Sequence, residues 1–225
     1  MLRIFPFFRL KYAYINQPLT FKSPTNLHSL CSFGFVHDQK FPSPQEDKKT
    51  IDKKLEVLAQ RERKWIKMIS KWKLDKEFST KEKFAKRVHK GIPDKVRNVV
   101  WSRLLNLNEV MEEAKNKDKY QAMLSLARVH GTEARQIDSD VNRQFREHIF
   151  FRERYNLKQQ QLFNVLVAYS MYNSEVGYCQ GMSTLAGMLL MYLGEEETFW
   201  ALNILLTDKK AVSYTHLRAH ETGRN

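Results

Sequence analysis

Residues 159–193 read QQQLFNVLVAYSMYNSEVGYCQGMSTLAGMLLMYL. From Gln159 to Tyr172 the run is apolar nearly all round a helix, and so is the run from Met182 to Leu193. A helix without a polar face has to lie at the centre of its domain, so these two are expected to form the core. The turn between them is Gly177-Tyr178-Cys179-Gln180-Gly181. Two glycines around a polar glutamine permit a sharp, exposed bend that another backbone can approach closely.

Working outward, Gly194 offers a helix stop, and Glu195, Glu196 and Glu197 suit the positive end of one more helix through Leu206. Upstream, Asp138 or Ser139 is expected to cap a helix running to about Arg154. Met111 to Val129 is amphipathic, with Tyr120, Met123, Leu124 and Ala127 on one side. Between Lys48 and Lys73 a helical stripe joins Ile51, Leu55, Leu58, Trp65, Ile69 and Trp72, with Glu62 the one missed beat and Lys or Arg on the other faces. Such a stripe is expected to pack on its own domain; an anionic membrane surface is the alternative. No strand alternation or hairpin signal competes, so the fold class is all-α.

Composition narrows the function classes. The 225 residues are 42% hydrophobic, with 14 Phe, 9 Tyr and 4 Trp, which is enough for a sizeable core and excludes wholesale disorder. Cys31 and Cys179 are the only cysteines, too few for a disulfide framework or a Cys-rich zinc site. No uncharged apolar stretch reaches the roughly 18 residues of a spanning helix. The net charge of +13 is uneven: residues 1–90 hold 21 Lys and Arg against 9 Asp and Glu, while residues 91–210 hold 15 against 15. A nucleic-acid-binding domain concentrates basic charge on its folded part, so nucleic acid is not an expected partner.

Five of the six prolines precede residue 45, which divides the chain into an irregular leader (1–45), a basic amphipathic helical segment (46–90) and a domain (91–210). The leader has no acidic residue before Asp38 and is similar in composition to a mitochondrial transit peptide, but its prolines spoil a long amphipathic helix. An untranslated or alternative first exon read as protein is the preferred account. The tail, 211–225, is polar without a helical stripe, and Val212–Thr222 resembles the translation of a sequencing-library adapter. His216 and His220 are therefore given no weight as metal ligands, and no metal site is expected.

Three features look like chemistry. Gly91-Ile92-Pro93 precedes Arg97 and Trp101, which share one helix face. In Ile137-Asp-Ser-Asp-Val-Asn-Arg143 the Asp140 carboxylate can hold Arg143 at i, i+3. The third is the Gly177–Gly181 turn with Gln180 at its tip. Singly these read as a packing device, a surface ion pair and a helix link; Cys179 has no base placed near it and is not read as a nucleophile.

In this order, however, the three motifs resemble the signature of TBC domains, the Rab GTPase-activating proteins, and most of all the RN-tre-like members. The resemblance rests on Gly-Ile-Pro-x-x-x-Arg-x-x-x-Trp, Ile-x-x-Asp-x-x-Arg and Tyr-x-Gln-Gly-Met, and runs from near Phe33 to about Lys210. It implies a multi-helical TBC-type domain, mainly the N-terminal lobe, cut off before most of the second. It also implies an activator that is not itself an enzyme. Arg143 would be an arginine finger and Gln180 a glutamine finger in trans to a Rab GTPase, with Asp140 and Tyr178 positioning them and Arg97 and Trp101 structural. No cofactor of its own is implied, since GTP and Mg are held by the partner. The implied setting is vesicle traffic in the cytoplasm, with peripheral contact to endomembranes. A non-catalytic GTPase-binding module is the alternative.

Overall fold

A computed structural model of the chain describes residues 34–36, 47–72, 82–113 and 115–207. Cys31, nearly all of the leader, and the tail with His216 and His220 lie outside the described residues. Among the described residues the structure is all-α, with no β-strand and an isolated antiparallel bridge between Phe35 and His148. No helix there is long and apolar enough to cross a membrane.

The chain divides into two compact units. The described part of one holds α1 (Lys48–Trp72), α2 (Glu82–His89) and α3 (Asp94–Leu104). Its core is Trp65, Trp72, Phe84, Val96 and Val100, with both tryptophan rings edge-on to Phe84 at 5.8 and 5.0 Å. Arg103 joins α3 to α1 by donating to the Ile69 carbonyl at 2.8 Å. The predicted α1 stripe divides in two. Trp65, Ile69 and Trp72 pack as expected, but Ile51, Leu55 and Leu58 are exposed. Glu62, the missed beat, is where Lys95 of α3 meets α1, at 3.1 Å.

The other unit carries α5 (Lys119–His130), α6 (Ala134–Arg143), α7 (Leu157–Tyr172), α8 (Met182–Leu190) and α9 (Glu195–Thr207). A short α4 (Leu107–Glu112) bridges the two stretches of sequence. α7 is the centre: Leu162, Phe163, Val165, Leu166, Val167, Ala168 and Tyr169 are all buried, and α5, α6, α8 and α9 pack around it. Asn156 caps its start by accepting from the Gln159 amide at 2.9 Å. Glu195, at the start of α9, accepts from the Tyr120 hydroxyl at 2.6 Å and from Asn164 at 3.0 Å, tying α5, α7 and α9 together.

Two predicted helices are corrected. Met111–Val129 is not continuous: Asn116 donates its side-chain amide to the Val110 carbonyl at 2.6 Å, and Asp118 takes a left-handed φ of 55°. These polar residues close α4 and restart the chain as α5, whose Tyr120, Leu124 and Ala127 are buried as expected. The helix predicted from Asp138 to Arg154 instead spans Ala134 to Arg143. The break falls at Gly131, where a Cβ would lie 2.5 Å from the Ala127 carbonyl oxygen. Asp138 is then mid-helix and buried, and its carboxylate accepts from Asn142 one turn on, at 3.1 Å. Gln144 is extended and Phe145 has φ 47°, so Arg143 is the last residue of its helix.

Candidate functional site

The short helix α6 organises the candidate site from both of its ends. At its C-terminal end, Arg143 Nη2 pairs with Asp140 Oδ1 at 2.6 Å, the arginine 62% exposed and the aspartate 7%. A carboxylate that is buried while its guanidinium partner faces solvent fixes the direction of the cation without covering it. The second oxygen, Asp140 Oδ2, accepts from the Tyr178 hydroxyl at 2.6 Å. Burial pushes the Tyr178 phenol above its ordinary range and the bond to Asp140 pushes it further, so it remains a neutral donor.

At the other end of α6, both oxygens of Glu133 accept from the Tyr178 backbone amide, at 3.1 and 3.0 Å. Tyr178 is thus held by its main chain at one end of α6 and by its side chain at the other. Gly177, at φ 60°, allows this approach, since a Cβ there would lie 3.1 Å from Glu133 Oε1. Two residues on, Gln180 is exposed at the tip of the turn, and its amide makes no hydrogen bond to any described residue. Gly181 follows at φ 95° as the residue before α8. Cys179 is half-buried, and its thiol contacts the Val176 carbonyl at 3.6 Å.

Helix α8 ties the same two segments together from outside. Ser183 donates to Gln144 at 3.3 Å, and Gly187 faces Phe145, whose ring a Cβ would meet at 2.8 Å. The residues directly after Arg143 therefore rest on the helix directly after Gln180.

The arginine is thus aimed outward by a buried carboxylate, and the glutamine is exposed on a turn braced against the same helix. The Rab-GTPase-TBC domain family matches residues 94–219. This chain belongs to that family. TBC1 domain family member 10B of Mus musculus is 34% identical over 185 residues, which are 81% of this chain and 22% of that protein. The crystal structure of the Chlamydomonas flagellar RabGAP TBC domain aligns with a TM-score of 0.61 at 27% identity, over 80% of this chain and 57% of that one. The chain thus spans about a fifth of the curated relative. The family match continues past Lys210, where the motif resemblance was expected to end.

In this TBC-family chain the structure joins Asp140, Arg143 and Tyr178, with Gln180 exposed two residues further along the same turn. Arg97 and Trp101 belong to the unit containing α1 to α3. Arg97 pairs there with Asp94, donates to the Ile92 carbonyl at 2.8 Å and lies 5.9 Å from the Trp101 ring. Glu133 was not among the residues singled out in the sequence. An acidic residue at a helix start is favoured by the macrodipole, but α6 starts at Ala134, ahead of the cap that Asp138 or Ser139 suggests. Among the described residues no three His, Cys, Asp or Glu side chains gather as metal ligands would.

Proposed function

We propose that this chain stimulates GTP hydrolysis by a Rab small GTPase, with Arg143 as the arginine finger and Gln180 as the glutamine finger. The observation that carries the reading is the bridge made by Asp140, which holds Arg143 with one oxygen and Tyr178 with the other. Phosphoryl transfer needs charge on the phosphoryl oxygens neutralised and an attacking water held in line. A guanidinium does the first, and an amide does the second without having to ionise. Asp140, Tyr178 and Glu133 act as positioning residues behind them. GTP and Mg belong to the partner, so the chain contributes side chains and no cofactor. Within the family we place it with the RN-tre-like members, acting in vesicle traffic on the cytoplasmic face of endomembranes.

Single-turnover GTP hydrolysis by a panel of Rab proteins tests this. A trans-acting arginine contributes roughly 10³–10⁵ in rate, on the order of 4–7 kcal/mol. Arg143→Ala is expected to abolish stimulation of the cognate Rab. Arg143→Lys should restore little, because lysine keeps the charge but lacks the planar fork. Gln180→Ala is expected to be severely impaired. Near-normal stimulation by Arg143→Ala would remove the catalytic reading and leave a non-catalytic GTPase-binding module.

A further inference from the structure

A cavity of about 390 Å³ opens between α1 and α2. Arg61 and Lys64 line it from α1, and Lys83, Lys86, Arg87 and Lys90 from α2 and the turn after it. The sequence dictates this wall: Lys83, Lys86 and Arg87 fall on one face of α2, while Phe84 and Val88 turn the other face to the core. Among the described residues no acidic side chain lines the cavity. Lys86 pairs with Glu82 at 2.6 Å, but both are largely exposed, so that pair holds the lysine weakly. Arg61, Lys64, Lys83, Arg87 and Lys90 make no ion pair with any described residue. Trp65, buried among the core residues, closes the floor.

Cations facing cations across a groove repel one another, and a ligand carrying several negative charges relieves that repulsion. Two guanidiniums, one on each wall, offer forks that match phosphate oxygens, and the lysines add point charges around them. The volume lies within the range of small-molecule sites, which favours a compact anion over a polymer lying along a surface. We propose that this groove binds a compact polyphosphorylated anion, with two or more phosphates on a small ring. The same chemistry occurs free in solution and on phosphoinositide headgroups. The inference does not depend on the Rab reading, since none of the residues involved belongs to the Arg143 and Gln180 site.

The test uses the whole chain and two probes: inositol trisphosphate by titration calorimetry, and phosphatidylcholine vesicles doped with phosphatidylinositol bisphosphate by co-sedimentation. Arg61→Glu with Arg87→Glu should weaken binding about tenfold or more, equivalent to about 1.4 kcal/mol. Lys48→Glu with Lys49→Glu makes the same change in net charge on α1 outside the cavity lining, and should leave binding within about a factor of two. Arg61→Gln with Arg87→Gln, which removes charge without reversing it, should weaken binding in the same direction while the circular dichroism spectrum stays that of the unmodified chain. Binding of the soluble probe alone assigns the site to free phosphates. Vesicle binding that the soluble probe displaces assigns it to a headgroup. Binding of neither probe, equal losses in the groove and control variants, or tighter binding of a single-stranded oligonucleotide than of inositol trisphosphate would overturn the proposal.

Discussion

The hydroxyl of Tyr178 donates to Oδ2 of Asp140 at 2.6 Å, and through this bond the turn carrying Gln180 is fastened to the helix carrying Arg143. Asp140 is nearly inaccessible, so solvent does not compete for its oxygens. The two segments are distant in the chain, and Asp140 is the carboxylate that joins Tyr178 to Arg143 itself.

Tyr178→Phe removes that bond while leaving the backbone bonds to Glu133. It strands Asp140 Oδ2 in a buried place, and a lost hydrogen bond to a charged group costs about 1.5–3 kcal/mol. Denaturant unfolding should show a loss of about 2 kcal/mol. Stimulation of Rab hydrolysis should fall by less than with Arg143→Ala.

Glu133→Ala leaves the Tyr178 amide without its acceptor and frees the turn on that side. Misplacement of a catalytic group by a small distance costs roughly 10²-fold. The loss should appear in the maximal single-turnover rate, while the affinity for the Rab changes little. Glu133→Asp should recover only part of the rate, since the shorter side chain cannot offer both oxygens at the present separation.

Gly187→Ala places a Cβ 2.8 Å from Phe145 Cε2 and 3.0 Å from Cδ2. The Phe145 ring is packed against Phe151 at 5.8 Å and its own backbone is left-handed, which restricts its movement. Overpacking of this kind costs about 1–3 kcal/mol. Thermal melts should show the destabilisation, and Phe145→Leu should relieve part of it in the double variant.

Alkaline pH should weaken the unit that contains α5 to α9. Burial is the main cause raising the phenols of Tyr120 and Tyr178, with Glu195 and Asp140 adding to it. A folded-state value above the unfolded one means that the native state holds its protons more tightly. The stability they contribute is complete below about pH 10 and is lost as pH rises above it. Melting temperature followed from about pH 8 to 11 should fall, and the slope should flatten in Tyr120→Phe.

The parts of this arrangement that the sequence discloses are the local ones. The all-round apolar character of Gln159–Tyr172 locates the central helix, and the three-residue spacing of Asp140 and Arg143 announces their pair. The long-range partners leave no such trace. Glu133 meets Tyr178 across 45 residues, and neither spacing nor composition links them. Asp138 misled because a carboxylate ahead of a mixed run looks like a cap. Only its burial and its bond to Asn142 show that it belongs to the helix interior. In the same way α1 shows one periodicity along its length, while only its second half finds a core to enter.

The double grip of Glu133 and Asp140 on Tyr178 also defines what can be moved to another scaffold. A graft of the Gly177–Gly181 loop alone would carry the glutamine but neither clasp. A graft of α6 alone would carry the arginine with an aspartate missing its second partner. The smallest portable unit is residues 133–145 together with 177–187, two strips of chain joined by hydrogen bonds and by the contact of Phe145 with Gly187. Shuffling between relatives should therefore succeed when both strips come from the same parent and fail when they come from different ones.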